Sequence, residues 1–257
     1  MNILCIGDVV GSIGCGFLMK TLPPFKKLKN IDMVIANGEN SSDGNGLTPA
    51  SARQLFDSGV DVITSGNHAF RRKESYEYYD SCEALIRPAN FPQGTTPGRG
   101  YTVIDMLKWQ VCVINMLGVM YLEPLECPYM TIEKILKETE QYKIRILDFH
   151  AEATAEKRAL GYYLDGRISA MFGTHTHVQT ADETILPNGT GYITDVGMTG
   201  TVQSVLGVKK ELAIAKFKDK MPVRFDLASG ECKMDCILFD VDNKTGKTIS
   251  AERFSVR

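Results

Sequence analysis

Only four histidines occur in the 257-residue chain, and each of them follows an apolar segment. His68 comes after "VDVITSGN", His150 closes "IRILDFH", and His175 and His177 follow "ISAMFG" with one residue between them. A single histidine in such a position is more often structural than functional, and that interpretation fits each residue taken alone. It does not explain why every histidine takes the same kind of position. We therefore predict that the four histidines share one site.

Oxygen-bearing side chains follow the early apolar segments in the same way. Asp8 comes after "NILCIG", Glu39 and Asn40 come directly after "DMVIANG", and Asn67 stands directly before His68. An Asp or Asn after a strand is often only a turn former. In an open α/β sheet, however, ligands bind at the carboxyl ends of the strands. We expect these oxygens to converge with the histidines.

Imidazole nitrogens combined with carboxylate and carboxamide oxygens, without thiolates, suit Mn, Fe or Zn better than Ca or Mg. The predicted ligands are Asp8, Glu39, Asn40, Asn67, His150, His175 and His177. That set is too large for one tetrahedral ion and suits two metals about 3.5–4 Å apart with a bridging carboxylate. We predict Glu39 as the bridge, because a carboxylate has two oxygens and Glu39 stands between oxygen donors.

Such a metal pair would lower the pKa of a bridging water towards neutrality and make it a hydroxide nucleophile. His68 is not needed as a ligand. It could protonate a leaving alkoxide or stabilise a phosphoryl oxygen. The alternative is a structural residue that orients one of the ligands.

We expect the segment from His175 to His177 to be extended. Two side chains separated by one residue on an extended segment point to the same face, about 6–7 Å apart at Cα. This separation is too large for easy chelation of one ion. It fits one ligand for each of two neighbouring metals.

Strands and helices alternate in the first third of the chain. "NILCIG", "DMVIANG" and "VDVITSGN" predict buried strands. "TPASARQLFDSG" predicts a helix with Thr48 as N-cap and Pro49 at the first helical position. "GCGFLMKTLPPFKKLK" predicts a broken amphipathic helix, and "RKESYEYYDSCEAL" a further helix. Apolar strands separated by helices indicate a parallel sheet covered on both faces.

Hairpins are predicted later in the chain. They comprise "YTVIDML" with "WQVCVINML", "DETILPNGTGYITD" around Asn188-Gly189, and the C-terminal segment. "TIEKILKETEQ" and "EATAEKRALGYYL" predict helices, and "IRILDFH" and "ISAMFG" predict strands. No repeat or linker interrupts the pattern. We predict one domain, residues 1–257, with two packed sheets flanked by helices.

Two segments near the candidate ligands carry weaker signals. We interpret Glu152, Thr154 and Lys157 in "HAEATAEK" as N-terminal capping and a solvated helix face rather than as substrate contacts. We interpret "DVGMTG" as a loop in which the backbone approaches the site closely.

Composition limits the partners and the compartment. A formal net charge of −2 with 23% charged residues gives no reason to expect a surface for bulk nucleic acid or a membrane. Asp8 interrupts the apolar N-terminus, and no run approaches the roughly 18 apolar residues of a membrane span. Seven cysteines without a C-x-x-C pair indicate reduced thiols. We expect a soluble cytoplasmic protein, with a homo-oligomer possible.

The ordered motifs resemble those of the calcineurin-like metallophosphoesterases. They are Gly7-Asp8, Gly38-Glu39-Asn40, Gly66-Asn67-His68, His150 and Gly173-Thr174-His175-Thr176-His177. Two departures stand out: Val10 occupies the histidine position of the usual D-x-H motif, and Glu39-Asn40 stands where Asp is usual. With "GDVVG", "ANGENS", "DFHAEATAEK", "GTHTHVQTADE" and "TDVGMTG", the chain is similar to the YmdB-like subfamily.

The resemblance implies a fold, a cofactor and an activity. The implied fold is a four-layer α/β/β/α sandwich of two mixed sheets. The implied cofactor is a di-iron or di-manganese centre, with zinc as an alternative. The implied activity is phosphodiester hydrolysis. Small phosphoesters or nucleotides, including 2′,3′-cyclic nucleotides such as 2′,3′-cAMP, are the implied substrates. One metal would be held by Asp8, Glu39, Asn40 and His177, and the other by Glu39, Asn67, His150 and His175. His68 would donate a proton.

Two other function classes remain open from the sequence. One is a regulatory protein that binds a phosphorylated ligand or a nucleotide with little turnover, although a complete ligand set argues against it. The other is a mononuclear zinc amidohydrolase, which fits the histidines but leaves Asn40 and Asn67 unexplained.

Overall fold

The computed structural model describes all 257 residues, and two β-sheets form its centre. The seven-stranded sheet contains β1 (Asn2–Ile6), β2 (Asp8–Val9), β3 (Met33–Asn37), β4 (Val62–Thr64), β11 (Met198–Thr201), β12 (Cys232–Val241) and β13 (Thr248–Val256). The six-stranded sheet contains β5 (Tyr101–Asp105), β6 (Gln110–Leu117), β7 (Ile144–His150), β8 (Ala170–Thr174), β9 (Thr184–Ile185) and β10 (Gly191–Ile193). The helices are α1 (Gly11–Leu28), α2 (Pro49–Asp57), α3 (Tyr76–Ser81), α4 (Pro128–Glu138), α5 (Thr154–Tyr163) and α6 (Lys210–Asp219), with a 3-10 turn at Lys73–Ser75.

Alternation along the strands sends side chains into two different cores. Ile3 and Cys5 of β1 pack between the two sheets, in one cluster with Ile146 and Phe172 of the other sheet. Leu4 and Ile6, which point the other way, pack under the helices on the outer face of the first sheet. Because successive strand residues face opposite sides, a continuously apolar strand such as β1 supplies both cores at once.

The outer face of the second sheet is covered in the same manner. Ile132 and Ile135 of α4 and Leu160 of α5 form one cluster with Cys112 and Leu147 of the sheet. The four layers are therefore helices, sheet, sheet and helices, which confirms the predicted α/β/β/α sandwich.

Both sheets are mixed. In the first sheet β1, β3 and β4 run parallel, with Ile3 opposite Met33 and Ile35 opposite Val62, while β12 is antiparallel to β1. In the second sheet β6, β7, β8 and β10 run parallel, and β5 and β9 are antiparallel edges. The carboxyl ends of the parallel strands are the ends that carry the candidate ligands.

Local signals predicted most of these elements correctly. The first three strands are confirmed, and so are the three hairpins, which correspond to β5–β6, β9–β10 and β12–β13. α2 has Thr48 as N-cap and Pro49 at its first position, and Ser51 completes a reciprocal capping box with Thr48.

Three element predictions were wrong or incomplete. α1 is continuous through Pro23 and Pro24 rather than broken, because Leu22 and Phe25 on either side pack into the core and offset the lost backbone hydrogen bonds. The helix predicted after Arg72 is reduced to the 3-10 turn and the six residues of α3. The "DVGMTG" segment is not all loop: Met198–Thr201 forms β11, which pairs with β2 and β12.

A close backbone approach does occur beside this strand. A Cβ on Gly7 would lie 2.1 Å from the carbonyl oxygen of Gly197. Only glycine therefore allows the turn before Asp8 to lie against the turn before β11.

None of the six helices combines the length and the apolar character needed to cross a bilayer. All seven cysteines are free thiols, and burial raises the pKa of Cys15 and of Cys112 to about 12.

Candidate metal centre

The fold gathers every predicted site residue at the carboxyl ends of five strands. Asp8 begins β2 directly after β1, Glu39 and Asn40 follow β3, and Asn67 and His68 follow β4. From the second sheet, His150 ends β7, and His175 and His177 follow β8. The site thus draws on both sheets, and none of the predicted residues lies outside it.

His150 is the centre of one group of ligand atoms. Its Nε2 lies 2.9 Å from Asn67 Oδ1, 3.0 Å from His175 Nδ1 and 3.2 Å from Glu39 Oε1. The ring has no solvent exposure. A Cβ on Gly66 would lie 2.3 Å from this ring, so the glycine before Asn67 makes room for it.

The hydrogen bonds behind His150 decide which ring nitrogen faces the group. The hydroxyl of Thr174 donates to Asp148 Oδ1 at 2.7 Å, so it accepts from His150 Nδ1 at 2.9 Å. Nδ1 therefore carries a hydrogen, and Nε2 points at acceptors. A single N–H at Nε2 can donate a hydrogen bond to only one of its three neighbours, Asn67, His175 and Glu39. A metal cation could be bound by all of them. The donor set fits a metal ion.

A second group of ligand atoms surrounds Asp8. His177 Nε2 lies 3.5 Å from Asp8 Oδ1 and 3.3 Å from the amide nitrogen of Asn40. That amide nitrogen donates to Asp8 Oδ1 at 3.3 Å, and the amide oxygen lies 2.9 Å from His68 Nδ1. Asn40 therefore lies beside Asp8, where it can supply the donor that the absent D-x-H histidine would provide, while Val10 packs against Gly207.

Glu39 lies between the two groups. Besides its contact with His150, its Oε1 lies 3.4 Å from the amide nitrogen of Asn40 and 3.0 Å from His68 Nδ1. Its Oε2 accepts the backbone N–H of His68 at 2.8 Å. A fully buried carboxylate that touches both groups has the position required of a bridging ligand.

Each of the three candidate histidine ligands uses its other ring nitrogen to bind a protein partner. His150 binds Thr174, His175 Nε2 lies 2.9 Å from Glu152 Oε2, and His177 Nδ1 donates to the carbonyl of Leu206 at 3.1 Å. Such partners fix the tautomer and the orientation of metal-binding imidazoles.

The acidic groups of the site are held ionised although they are buried. Burial by itself raises the pKa of Glu39, but His150 and His68 outweigh it and hold this pKa well below its usual range. Burial also raises the pKa of Asp8, and His177 outweighs it so that the pKa is lowered. Buried charges in proteins are paired or bind metals, so these ionised carboxylates suit a bound cation.

The pKa values of the imidazoles of His150 and His175 shift in opposite directions. Burial lowers the pKa of His150, yet the charges of Glu39, Asp8 and Asp148 raise it to about 9. The pKa of His175 is lowered, first by burial and then by the neighbouring His150. Asp148 lies behind His150, and burial raises the pKa of its carboxyl to about 6.

Two predictions about this region were wrong. The segment from His175 to His177 is not extended, since both histidines have a positive φ, 104° and 61°. Their rings diverge to the two different groups because of this turn. Glu152 does not cap α5 but contacts His175, and Lys157 is fully buried rather than solvated.

Several supporting residues were not predicted from the sequence. Asn37 donates to Asp148 and accepts the backbone N–H of Glu39, and Asp195 accepts the backbone N–H of Thr176. Their only sequence signal is that they are polar residues inside apolar strands or at strand ends. Such residues are expected to be hydrogen-bonded when buried.

The comparisons with known proteins agree with this geometry. The model of the YmdB-like protein family matches residues 4–254. A 2′,3′-cyclic-nucleotide 2′-phosphodiesterase of Bacillus subtilis (strain 168) is 46% identical over 257 residues, which is 100% of this chain and 97% of the relative.

Two solved structures are similar over nearly the whole chain. A phosphatase from Mycoplasma pneumoniae superposes with a TM-score of 0.94 at 32% identity, covering 100% of this chain and 93% of the other. A hypothetical protein from Thermus thermophilus superposes with a TM-score of 0.93 at 38% identity, covering 99% and 98%.

The motifs, the sandwich and the converging ligands agree with a family match that spans most of the chain. The chain therefore belongs to the YmdB-like family of the calcineurin-like metallophosphoesterases, and it is an enzyme of the phosphoric ester hydrolase class.

Proposed function

We propose that this chain is a dinuclear metal-dependent phosphodiesterase that hydrolyses cyclic nucleotides such as 2′,3′-cAMP. The observation that carries the proposal is the position of Glu39, whose Oε1 lies 3.2 Å from His150 Nε2 and 3.4 Å from the Asn40 amide. This carboxylate joins two groups of ligand atoms. The name of the Bacillus subtilis relative supports the substrate class.

The two groups divide the ligands between two ions. Asp8, Asn40 and His177 would hold one metal, Asn67, His150 and His175 the other, and Glu39 both. Iron or manganese fits these nitrogen and oxygen donors best, with zinc as the alternative. When bound, the metal pair supplies Lewis-acid activation of water and neutralises charge on the phosphoryl group.

The reaction consumes one water for each cyclic phosphodiester. Attack of water on phosphorus forms a new P–O bond, one bond from phosphorus to a ribose oxygen breaks, and the products are a phosphomonoester and a ribose hydroxyl. The leaving ribose oxygen requires a proton.

His68 is placed to supply that proton. Its Nδ1 lies 2.9 Å from Asn40 Oδ1 and 3.0 Å from Glu39 Oε1. With Nδ1 engaged, Nε2 is the atom that holds the proton for transfer, and the side chain keeps 19% of its exposure to reach a substrate.

We further propose that the chain acts in the cytoplasm as one domain over residues 1–257. Its reduced thiols suit that compartment. A small phosphoester is the proposed binding partner.

The test combines metal analysis with a substrate panel. Wild-type protein purified anaerobically should contain two metals per chain and hydrolyse 2′,3′-cAMP and bis-p-nitrophenyl phosphate with added Mn²⁺. Glu39→Gln keeps the shape of the side chain but removes the charge. We expect a loss of turnover larger than the roughly 10–100-fold that loss of an outer partner of a metal ligand costs.

Glu83→Gln is the matched control, because Glu83 forms an exposed ion pair with Arg99. It should keep both metal content and rate. Full activity of metal-checked Glu39→Gln would contradict the bridging role. A metal-loaded wild type without turnover on the whole panel would instead favour a regulatory protein that binds a phosphorylated ligand.

A further inference from the structure

The backbone that carries His175 and His177 adopts a disfavoured conformation. His175 has φ 104° and His177 has φ 61°. Positive φ is uncommon for residues with a Cβ. Two such residues separated by a single residue require contacts from outside the segment to maintain this backbone conformation.

A buried ion pair supplies contacts at two points of this segment. Lys157 Nζ donates to the carbonyl of Thr174 at 2.8 Å and to Asp195 Oδ2 at 2.8 Å. The same oxygen of Asp195 accepts the backbone N–H of Thr176 at 3.1 Å. Lys157 thus holds the peptide group before His175, and Asp195 holds the peptide group after His175.

Both charged groups are themselves fixed. The side chains of Lys157 and Asp195 keep 0% and 1% of their exposure. Asp195 Oδ1 accepts the backbone N–H of Gly197 at 2.9 Å, and the backbone N–H of Asp195 donates to the hydroxyl of Thr180 at 2.9 Å. The pair therefore connects α5, the end of β8 and the turn before β11.

We propose that Lys157 and Asp195 are positioning residues of the metal centre. By holding the peptides on both sides of His175, they turn His175 Nδ1 towards His150 and His177 Nε2 towards Asp8, one ring to each group of ligands. Neither side chain forms a hydrogen bond or an ion pair with any of the seven candidate ligand side chains. The inference rests on the proposed two-metal centre.

The test separates positioning from stability with a double-mutant cycle. Lys157→Met and Asp195→Asn each leave one buried polar group without its partner, so each should lower the Tm. The double variant removes both charges and should recover most of that Tm. We expect the double variant to bind Mn²⁺ about 10–100-fold more weakly than wild type, because the carbonyl of Thr174 has lost its ammonium donor.

Mn²⁺ binding is measured by electron paramagnetic resonance, which reports free Mn²⁺ and the spin-coupled signal of a bound pair. The double variant should lose the coupled signal at metal concentrations that saturate wild type. Lys134→Met with Glu126→Gln removes an exposed ion pair and serves as the control. Its Mn²⁺ titration should match that of wild type.

The outcomes distinguish this inference from the proposed function. If the double variant recovers both the wild-type Mn²⁺ affinity and the wild-type Tm, the pair only stabilises the fold. A wild-type chain that never shows the coupled signal would instead contradict the two-metal centre. Weak Mn²⁺ binding with a recovered Tm supports positioning.

Discussion

At the scale of single residues, the site is determined by what lies behind each imidazole. Thr174, Glu152 and the Leu206 carbonyl each engage one ring nitrogen of a candidate ligand, which leaves the other nitrogen to face Asp8 and Glu39. His68 differs, because its Nδ1 contacts Glu39 Oε1 and Asn40 Oδ1, two side chains that are themselves candidate ligands. The partners of each imidazole therefore distinguish His68, the proposed proton donor, from the three candidate ligands.

His68→Ala tests the proton-donor role. Loss of a general acid lowers rates by roughly 10²–10⁴-fold, and the loss should be largest when the leaving group is a poor one. We expect this loss with 2′,3′-cAMP, whose ribose oxygen needs a proton. A much smaller loss is expected with bis-p-nitrophenyl phosphate, whose nitrophenolate leaving group does not need to be protonated. Equal losses on both substrates, or loss of Mn²⁺ from the variant, would make His68 a structural residue.

At the scale of elements, short segments after the strands carry the function and need separate anchors. The segment after His177 is held to the residues that follow β10 by Asp182, which accepts from the hydroxyl of Thr180 at 2.7 Å and from the backbone N–H of Thr194 at 3.1 Å. Burial by itself raises the pKa of Asp182, but the hydrogen bonds from the hydroxyl groups of Thr194 and Thr180 and from the backbone N–H of Thr194 outweigh it and lower this pKa.

The lowered pKa of Asp182 predicts a pH-dependent contribution to stability. A carboxyl group whose pKa is lower in the folded state stabilises the fold above its unfolded pKa, and this contribution is lost as the pH falls through the folded pKa. Asp182→Asn should lower the Tm by roughly 2–4 °C at pH 7. The difference from wild type should shrink below about pH 4. A Tm difference that stays constant from pH 7 to pH 3 would contradict the ionised anchor.

At the scale of the whole molecule, the candidate ligands connect the two sheets. Asp8, Glu39 and Asn67 come from the seven-stranded sheet, and His150 and His175 come from the six-stranded sheet. Metals bound by these residues, with Glu39 shared between them, would join the carboxyl ends of both sheets, and only in the folded state. Metal binding should therefore stabilise the whole fold.

Metal removal tests this connection. A ligand at 100 times its Kd stabilises a protein by about 2.7 kcal/mol, which corresponds to roughly 5–10 °C in Tm for a chain of this size. We expect EDTA treatment to lower the Tm by this order and added Mn²⁺ to restore it. Glu39→Gln should respond weakly to both treatments. A wild-type Tm that is the same with EDTA and with Mn²⁺ would argue against ligands shared by the two sheets.

Local sequence patterns were sufficient to predict the types of the candidate ligands, their places at strand ends, the hairpins and the capped start of α2. These features depend on the alternation of apolar residues and on turn and capping chemistry, which act over a few residues. The approach of β11 to β2 depended on pairing that no local pattern encodes. The continuity of α1 through Pro23 and Pro24 likewise depended on packing against the core.

The orientation of the candidate ligands depends on contacts between residues that are far apart in the sequence. The backbone N–H of His175 donates to Asp8, 167 residues earlier, and Lys157 reaches Asp195, 38 residues later. Such contacts override the extended conformation expected for the segment from His175 to His177, because burial and hydrogen bonding outweigh a local backbone preference. The sequence therefore predicts the candidate ligand residues, while long-range packing sets the conformation that points one histidine at each group.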